Sequence, residues 1–435
     1  MTGEGADRDQ ASKRAPRSPA SCGTRARRPW RPARGHGARR GAERQGGLAD
    51  GPGVGGHCRS CQPSPGLDQG RANAGAAGVD GQSVAAFGAD AERQLGALRR
   101  RLLSAERYVP PPVRRVEIPK PDGRMRPLGI PTVADRVVQQ ATVQVIGPAF
   151  EARFTPSSFG YRPGRSARDA VWWVREAIRR GDRWVAEFDI VGFFDNLRHP
   201  RLLREVAKVV DDPEVIGLVR RWLTAGVLTE AGLSARTAGT PQGGVISPLL
   251  ANIYLHRLDV DVRAAGFHLI RYADDLVILT DRRWKAEAAD RLVRSILSDI
   301  GLEVAEAKSR VAKVADGIDF LGFSFVGRFL RPRARAVTRF KDQVRNLTSR
   351  KAPVSLRQMI ADLNPLIRGW GNYFVLGNVA RLFEQLDEWI RMRLRSKVRG
   401  SKATALSNRK MPTRVLRGLG LVSLEDLRRA HLSPA

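Results

Sequence analysis

The spacing of hydrophobic and polar residues changes several times along this chain, and each change predicts a different kind of structure. Residues 1–70 are rich in Arg, Gly, Ala and Pro and show almost no aliphatic periodicity. Such a segment cannot bury enough apolar surface to offset the entropy lost on ordering. We therefore predict a disordered basic extension over residues 1–70 and the start of ordered structure near residue 73.

The following hundred residues alternate between strand and helix periodicity. Apolar and polar residues alternate over Val113–Pro119, a Lys-Pro-Asp-Gly turn follows, and Met125–Ile130 resumes the alternation. This pattern predicts a β-hairpin. Thr132 and Ser166 are typical N-cap residues. Together with the 3.6-residue period, they predict helices over residues 84–105, 133–150 and 167–180.

The central part of the chain is typical of a sheet with helices packed on it. Val185–Ile190 is a short apolar run that contains an acid near its end, as expected of a buried strand. Leu269–Thr280 predicts strand, turn and strand. Further helices are predicted over residues 199–210, 213–225, 249–264 and 284–300, and a further strand over residues 318–325. Beyond residue 338 the pattern is helical throughout.

The charge distribution adds a prediction about partners. The formal net charge is +31, with a sequence pI near 11.3. Residues 326–435 contribute +17 of it, whereas residues 71–325 contribute only +7. A single basic run is usually a solvated face, but a bias sustained over the last quarter of the chain favours a nucleic-acid partner. No apolar run is long enough to cross a bilayer or resembles a secretory signal. We therefore expect no membrane partner and a cytoplasmic location.

Two acidic positions are the candidates for chemistry. Asp189 lies at the end of an apolar strand, and Asp274 and Asp275 lie at a turn between apolar strands. Carboxylates in such surroundings cost desolvation and repel one another unless a cation compensates them. If the turn projects towards Asp189, the three could hold two Mg²⁺ ions, for which Mn²⁺ can substitute. The alternative is that the Asp-Asp pair is only a solvated turn.

Several segments, in the same order along the chain, resemble the reverse transcriptases encoded by group II introns. They are Arg126–Pro131, Ser158–Ser166, Phe188–Asn196, Gly239–Asn252, Arg271–Asp275, Phe320–Phe323 and Leu363–Phe374. The resemblance implies an RNA-directed DNA polymerase with an α+β right-hand fold. It also implies fingers over 71–180, a palm over 181–326, a helical thumb and maturase region over 327–400, and a basic tail over 401–435. The implied partners are an RNA template such as group II intron RNA, a DNA primer or target, and dNTPs.

The same resemblance implies roles for individual residues. Phe194 would pack beneath the nucleotide sugar, and the alternative is a core phenylalanine, which fits Phe193 better. Arg126 could equally be a surface cation, and Lys308 a common helix-end lysine. The residues expected to contact the nucleotide are Lys120, Arg126, Phe194, Gln242, Gly243 and Lys308. Those expected to contact RNA are Arg162, Arg165, Arg368, Arg391 and Arg395. A second hypothesis is an RNA-binding splicing cofactor without significant polymerase activity.

Overall fold

The computed structural model describes residues 75–104, 107–119, 123, 125–399 and 411–432. Three predictions fall outside these residues. They are the basic extension over residues 1–70, the nucleotide contact at Lys120 and the part of the tail over residues 401–410. In the first part of the described chain, the helices and strands are α1 (Val84–Ala89), α2 (Ala91–Leu103), β1 (Val113–Pro119), β2 (Met125–Ile130), α3 (Val133–Glu151) and α4 (Ala167–Arg179).

The elements of the central part surround the candidate carboxylates. They are β3 (Trp184–Phe188), α5 (His199–Ala207), α6 (Pro213–Thr224), β4 (Val227–Thr229), β5 (Gly232–Ser234), α7 (Ser247–Ala264), β6 (Leu269–Tyr272), β7 (Asp275–Thr280), α8 (Arg283–Asp299) and β8 (Arg310–Lys313). The last part contains β9 (Ile318–Phe320), β10 (Phe323–Val326), β11 (Phe329–Pro332), α9 (Ala334–Leu347), α10 (Leu356–Phe374), α11 (Ala380–Arg399), α12 (Thr413–Gly418) and α13 (Leu424–Leu432).

The central sheet has the strand order β6-β7-β3-β8, and all of its pairings are antiparallel. Its middle strands, β3 and β7, are almost wholly apolar and buried, so they read as continuous hydrophobic runs. Helices α7 and α8 pack on the sheet and share one hydrophobic core with it. Because β3 and β7 are antiparallel, the end of β3 and the start of β7 lie at the same edge of this sheet.

The chain forms two further sheets besides the central one. The β1–β2 hairpin pairs in the register Val116↔Leu128, and β4 and β5 extend it in the order β2-β1-β4-β5. Strands β9, β10 and β11 form an antiparallel sheet that shares a second core with the C-terminal helices. Asp387 of α11 accepts hydrogen bonds from the backbone nitrogens of Leu424 (2.9 Å) and Glu425 (3.1 Å), and so caps the start of α13.

Most predicted elements are confirmed, including the β1–β2 hairpin, which has the predicted bounds. Thr132 and Ser166 are confirmed as N-caps, the latter in a capping box with Asp169. The single helix predicted over 84–105 is wrong, because the chain leaves helical geometry at Asp90. Strands β4, β5, β8 and β11 were not predicted, because each has only three or four residues, too few to show an alternation. The single strand predicted over 318–325 is wrong, because the chain turns at Leu321 and Gly322 between β9 and β10.

Candidate active site

Asp189 directly follows β3, and the segment that precedes β8 fixes its backbone. Its N–H donates to Ser309 Oγ at 3.1 Å, and its carbonyl accepts from the backbone nitrogen of Ala305 at 2.8 Å. The Lys308 ammonium lies 2.9 Å from Asp189 Oδ2. The carboxylate is therefore held at the sheet edge with one cation against it, and both side chains remain substantially exposed.

The second acidic position is a tight turn between β6 and β7. Tyr272 pairs with Asp275, which leaves Ala273 and Asp274 as the two turn residues. Ala273 has φ +56°, the left-handed region that residues with a Cβ rarely adopt. Gly160 packs directly beneath it, and a Cβ at Gly160 would overlap the Ala273 nitrogen. The strained turn therefore persists because the surrounding chain leaves it no other conformation.

A buried ion pair secures this turn from below. Arg271 of β6 and Asp259 of α7 are both 0% exposed, with N–O distances of 2.7 and 2.6 Å in a bidentate pair. The guanidinium also donates to Asn252 Oδ1 at 2.9 Å and to the carbonyl of Ala273 at 3.1 Å. Asn252 in turn donates to the carbonyl of Gly160 at 2.9 Å. The Ala273 carbonyl is thus bonded directly to one buried guanidinium, and the Gly160 carbonyl is connected to it through Asn252.

The pKa values show that the three carboxylates share one electrostatic environment. Burial of the carboxyl and the charges of Asp274 and Asp189 raise the pKa of Asp275 to about 6. Burial and the charge of Asp189 also raise the pKa of Asp274, whereas its own backbone hydrogen bond, Arg126 and Lys308 lower it. Such effects require proximity. The β1–β2 hairpin, the Asp189 strand and the Asp274 turn therefore lie close to one another.

The donor chemistry of this site suits a hard divalent cation, but the carboxylates do not converge on a single point. Carboxylate oxygens are the ligands that Mg²⁺ and Mn²⁺ prefer, and burial together with neighbouring carboxylates raises the pKa values of Asp274 and Asp275. Among the described residues, however, no three His, Cys, Asp or Glu side chains lie close enough together to hold an ion. The Asp189 carboxylate instead forms an ion pair with Lys308.

Comparison with known proteins decides the family. The model described as "Reverse transcriptase (RNA-dependent DNA polymerase)" matches residues 118–325, and "Group II intron, maturase-specific domain" matches residues 337–404. Protein YkfC of Escherichia coli is 33% identical over 298 residues, which cover 59% of this chain and 77% of YkfC. The chain belongs to the reverse transcriptase family of group II intron-encoded proteins.

Two further relatives are each similar over about a third of this chain. The group II intron-encoded protein LtrA of Lactococcus lactis subsp. cremoris is 42% identical over 153 residues, 35% of this chain and 25% of LtrA. An uncharacterised 91 kDa protein in the cob intron of Schizosaccharomyces pombe is 39% identical over 157 residues, 36% of this chain and 19% of that protein. The matched part is thus a minor share of these longer relatives.

Family membership settles the class of enzyme and of fold. The protein is an RNA-directed DNA polymerase with an α+β right-hand architecture, and its family depends on divalent metal ions. None of the helices in the described residues combines the length and apolarity needed to cross a membrane.

Three nucleotide-contact candidates of the reverse transcriptase lie around the loop that follows β5. Gln242 accepts a hydrogen bond from the Gly129 nitrogen at 2.7 Å through its backbone carbonyl. Gly243 has φ +111°, and a Cβ there would lie 2.8 Å from the Gly129 carbonyl oxygen. Gly243 is therefore required by the close packing of the hairpin on this loop, whatever else it contacts. Phe194 is half-buried against Phe193. Phe193 is a core residue, as expected from the sequence.

Two of the residues predicted to contact RNA have side chains that are buried in the protein. The Arg162 side chain is 2% exposed, and it pairs with Glu151 at 2.7 Å and donates to the carbonyls of Thr155 and Ser158. Arg395 is 5% exposed and donates to the Met411 carbonyl at 2.9 Å. Both guanidiniums satisfy buried acceptors, so neither faces solvent where RNA could reach it.

The other three predicted RNA contacts differ from one another. Arg165 is half-buried, donates to the Pro156 carbonyl at 2.6 Å and lies 5.6 Å from the centre of the Phe159 ring. Arg391 is half-buried on α11, and Arg368 is exposed on α10. All three contacts therefore stay predictions.

Sequence reasoning missed the tyrosines that surround the carboxylates. Tyr161 and Tyr272 lie with ring centres 6.5 Å apart, and the charges of Asp274 and Asp275 help to raise the pKa of Tyr161. Tyr373 of α10 donates to the Leu321 carbonyl at 2.7 Å, and burial, Tyr272 and Asp275 raise its pKa to about 12. The C-terminal helices thus reach the active-site region through Tyr373. The only available signal was its position within the maturase-like segment.

Proposed function

We propose that this reverse transcriptase adds dNTPs to a primer 3′ end on an RNA template, with two Mg²⁺ ions held by Asp189, Asp274 and Asp275. Mn²⁺ can substitute for Mg²⁺. The observation that carries the proposal is that the charge of Asp189 acts on the pKa of both Asp274 and Asp275, together with Lys308, which acts on both, and Arg126, which acts on Asp274.

The side chains divide the work by charge. When bound, the metal ions would activate the primer hydroxyl and neutralise the leaving phosphates. Lys308 holds the Asp189 carboxylate at 2.9 Å, and we infer that it transfers its hydrogen bonds to the triphosphate when the nucleotide enters. Arg126, on the exposed part of β2, would bind the same triphosphate from the hairpin side. Phe194 would pack beneath the sugar, where a 2′-hydroxyl would clash.

A role in splicing accompanies polymerisation. The maturase-specific match over residues 337–404 lies within residues 326–435, which carry more than half of the chain's net positive charge. We propose that group II intron RNA binds there and that a DNA primer or target enters the polymerase site. Binding and chemistry then use different surfaces, so one can be lost without the other.

Primer extension on an RNA template, with and without Mg²⁺, tests the proposal. Asp189→Ala and Asp274→Ala should each abolish DNA synthesis while leaving RNA binding and splicing assistance intact. Asp281→Asn is the matched control, because Asp281 follows β7 at the end opposite to Asp275. Synthesis that persists in the Asp189→Ala protein would show that these carboxylates are not the catalytic ones.

A further inference from the structure

One tryptophan of the C-terminal helices is surrounded by cations. The Trp389 ring of α11 has Lys341 Nζ 5.8 Å, Arg345 Cζ 5.6 Å and Arg393 Cζ 5.8 Å from its centre. Lys341 and Arg345 come from α9, and Arg393 lies one helical turn beyond Trp389. We call these four residues the Trp389 cluster. A ring that attracts three cations holds them closer together than their repulsion would otherwise allow.

Hydrogen bonds fix Arg393, one of the two half-buried cations. Arg393 Nε donates to Thr348 Oγ1 at 2.6 Å, and Nη2 donates to the Thr348 carbonyl at 3.3 Å. Thr348 is the C-cap of α9, so Arg393 binds carbonyls that the helix leaves unsatisfied. Burial and the neighbouring charges of Arg345 and Arg350 lower the pKa of Arg393. Positive charge is thus concentrated at a rigid position.

The protein provides little negative charge to balance the Trp389 cluster. Arg345 pairs with Asp342 at 2.5 Å, and both side chains are about half exposed. Exposed pairs of this kind contribute little free energy. In the residues that the structure describes, neither Lys341 nor Arg393 has a carboxylate partner within ion-pair distance. A polyanion would relieve this repulsion, and residues 326–435 carry more than half of the chain's positive excess.

We propose that the Trp389 cluster binds the phosphodiester backbone of RNA, with Trp389 holding the cations in place. Cations that contact phosphates position a nucleic acid without reading its sequence, so binding here should be independent of sequence. The proposal rests on the proposed function only for the choice of RNA as the polyanion. It replaces the predicted contact through Arg395, which is buried, with one that uses α9 and α11 together.

The palm offers a control with the same local chemistry. Trp184 has Arg283 Cζ at 5.6 Å and Lys313 Nζ at 5.5 Å from its ring centre. Arg283 pairs with Glu287 at 2.8 Å, just as Arg345 pairs with Asp342. The variants Lys341→Glu/Arg345→Glu and Arg283→Glu/Lys313→Glu therefore change the net charge equally. Each places two acidic side chains beside one tryptophan.

The experiment measures the dissociation constant of each full-length variant for a structured RNA hairpin, over a range of salt concentrations. Loss of two phosphate contacts should weaken binding roughly tenfold to thirtyfold near physiological salt and lower the slope of log K against log salt by about 1.4 to 1.8. The palm variant should stay within about threefold of the unmodified protein, with an unchanged slope. Equal weakening by the two variants would overturn the proposal.

Two further measurements separate the possible failures. Trp389→Leu should weaken RNA binding in the same direction, and Trp389→Phe should restore part of it, with thermal melting used to confirm that both variants fold. If Trp389→Leu folds and binds RNA as tightly as the unmodified protein, the proposed role of the ring is wrong. Extension of a short, saturating primer–template duplex by the unmodified protein tests the polymerase function separately. If the unmodified protein fails to extend that duplex, the proposed polymerase function fails, but the RNA-binding comparison still stands.

Discussion

Two ion pairs flank the same active site, and they differ most in their exposure to water. Arg271 and Asp259 are both 0% exposed, and their bidentate contact lies beneath the Ala273-Asp274 turn. Lys308 and Asp189 lie at the sheet edge with their side chains 54% and 36% exposed. In both cases a cation lies within 3 Å of a carboxylate, so distance alone does not distinguish them.

The difference in burial assigns the two pairs to different tasks. A buried pair cannot open without leaving an unpaired charge in a medium of low dielectric constant, so it behaves as a fixed part of the scaffold. An exposed pair is held only weakly, and water or a phosphate can replace either partner. The site therefore combines a rigid support, which sets the direction of the turn, with a labile contact that a nucleotide can displace.

Breaking the buried pair should produce the largest effect. Asp259→Asn leaves the Arg271 guanidinium without its counter-charge, and removal of one partner of such a pair typically costs about 3–5 kcal/mol. We expect a large fall in the free energy of unfolding, measured by urea denaturation. Asp261→Asn is the control, because Asp261 lies on the same helix and pairs with Arg257 in a more exposed position. Similar losses in the two variants would contradict the assigned difference.

Replacing both buried partners should separate stability from positioning. In Arg271→Met/Asp259→Leu the chain avoids a lone charge, so stability should recover to within about 1–2 kcal/mol of the unmodified protein. The hydrogen bond to the Ala273 carbonyl is lost, however, and the turn is then free to relax. We expect kcat of primer extension to fall roughly tenfold or more with little change in KM, because misplaced catalytic groups mainly affect the chemical step. A folded double variant with unchanged kcat would show that the pair does not position the turn.

The sequence predicted the two acidic positions but not the support beneath them. Asp189 and the Asp274 turn are local signals, since each is an acid at the end of an apolar strand. The Arg271–Asp259 contact depends on how α7 packs against β6, which no local pattern specifies. A signal was nevertheless present: an arginine within the apolar segment Leu269–Tyr272 requires a buried partner. Asn252 and Asp259 are seven residues apart and therefore lie on one face of a helix.

Burial also distinguishes the predicted RNA contacts from one another. Arg162 and Arg395 have the same side chain as Arg368, and only the tertiary structure shows that the first two bind buried acceptors while the third is exposed. Composition correctly indicated a basic region, but it could not indicate which of its cations face outwards. The sequence did not indicate the Trp389 cluster either, because Lys341 and Arg345 lie on a different helix, more than forty residues before Trp389.

Removing the labile contact should have a smaller effect, confined to function. Lys308→Gln should change the free energy of unfolding by less than about 1 kcal/mol, because the pair is exposed. If the ammonium transfers to the triphosphate, kcat/KM for dNTPs should fall roughly tenfold to a hundredfold, as expected for one charge-assisted hydrogen bond. Arg310→Gln is the matched control, since the Arg310 side chain is about as exposed as that of Lys308 and pairs with Glu187 at 2.8 Å. Equal values of kcat/KM in the two variants would show that the Lys308 ammonium does not transfer from Asp189 to the triphosphate.

The smallest expected effect is a dependence of metal stabilisation on pH. In the metal-free protein the pKa of Asp275 is about 6, above its ordinary value, so the folded state favours the protonated carboxyl. The resulting stabilisation is present at low pH and is lost as pH rises through about 6. A divalent cation needs the ionised form. Added Mg²⁺ should therefore raise Tm by about 1–3 °C at pH 7.5 and by almost nothing at pH 5.

Asp275→Asn provides the control for this pH dependence. Without the titrating carboxyl, the metal-free protein should no longer lose stability between pH 5 and pH 7.5 through this group, and Mg²⁺ should raise Tm less. Calorimetry at both pH values, with and without Mg²⁺, measures all four states. A Mg²⁺ effect that is equally large at pH 5, or unaltered in Asp275→Asn, would mean that the cation binds elsewhere. The rigid turn would then present Asp275 for some purpose other than holding a metal ion.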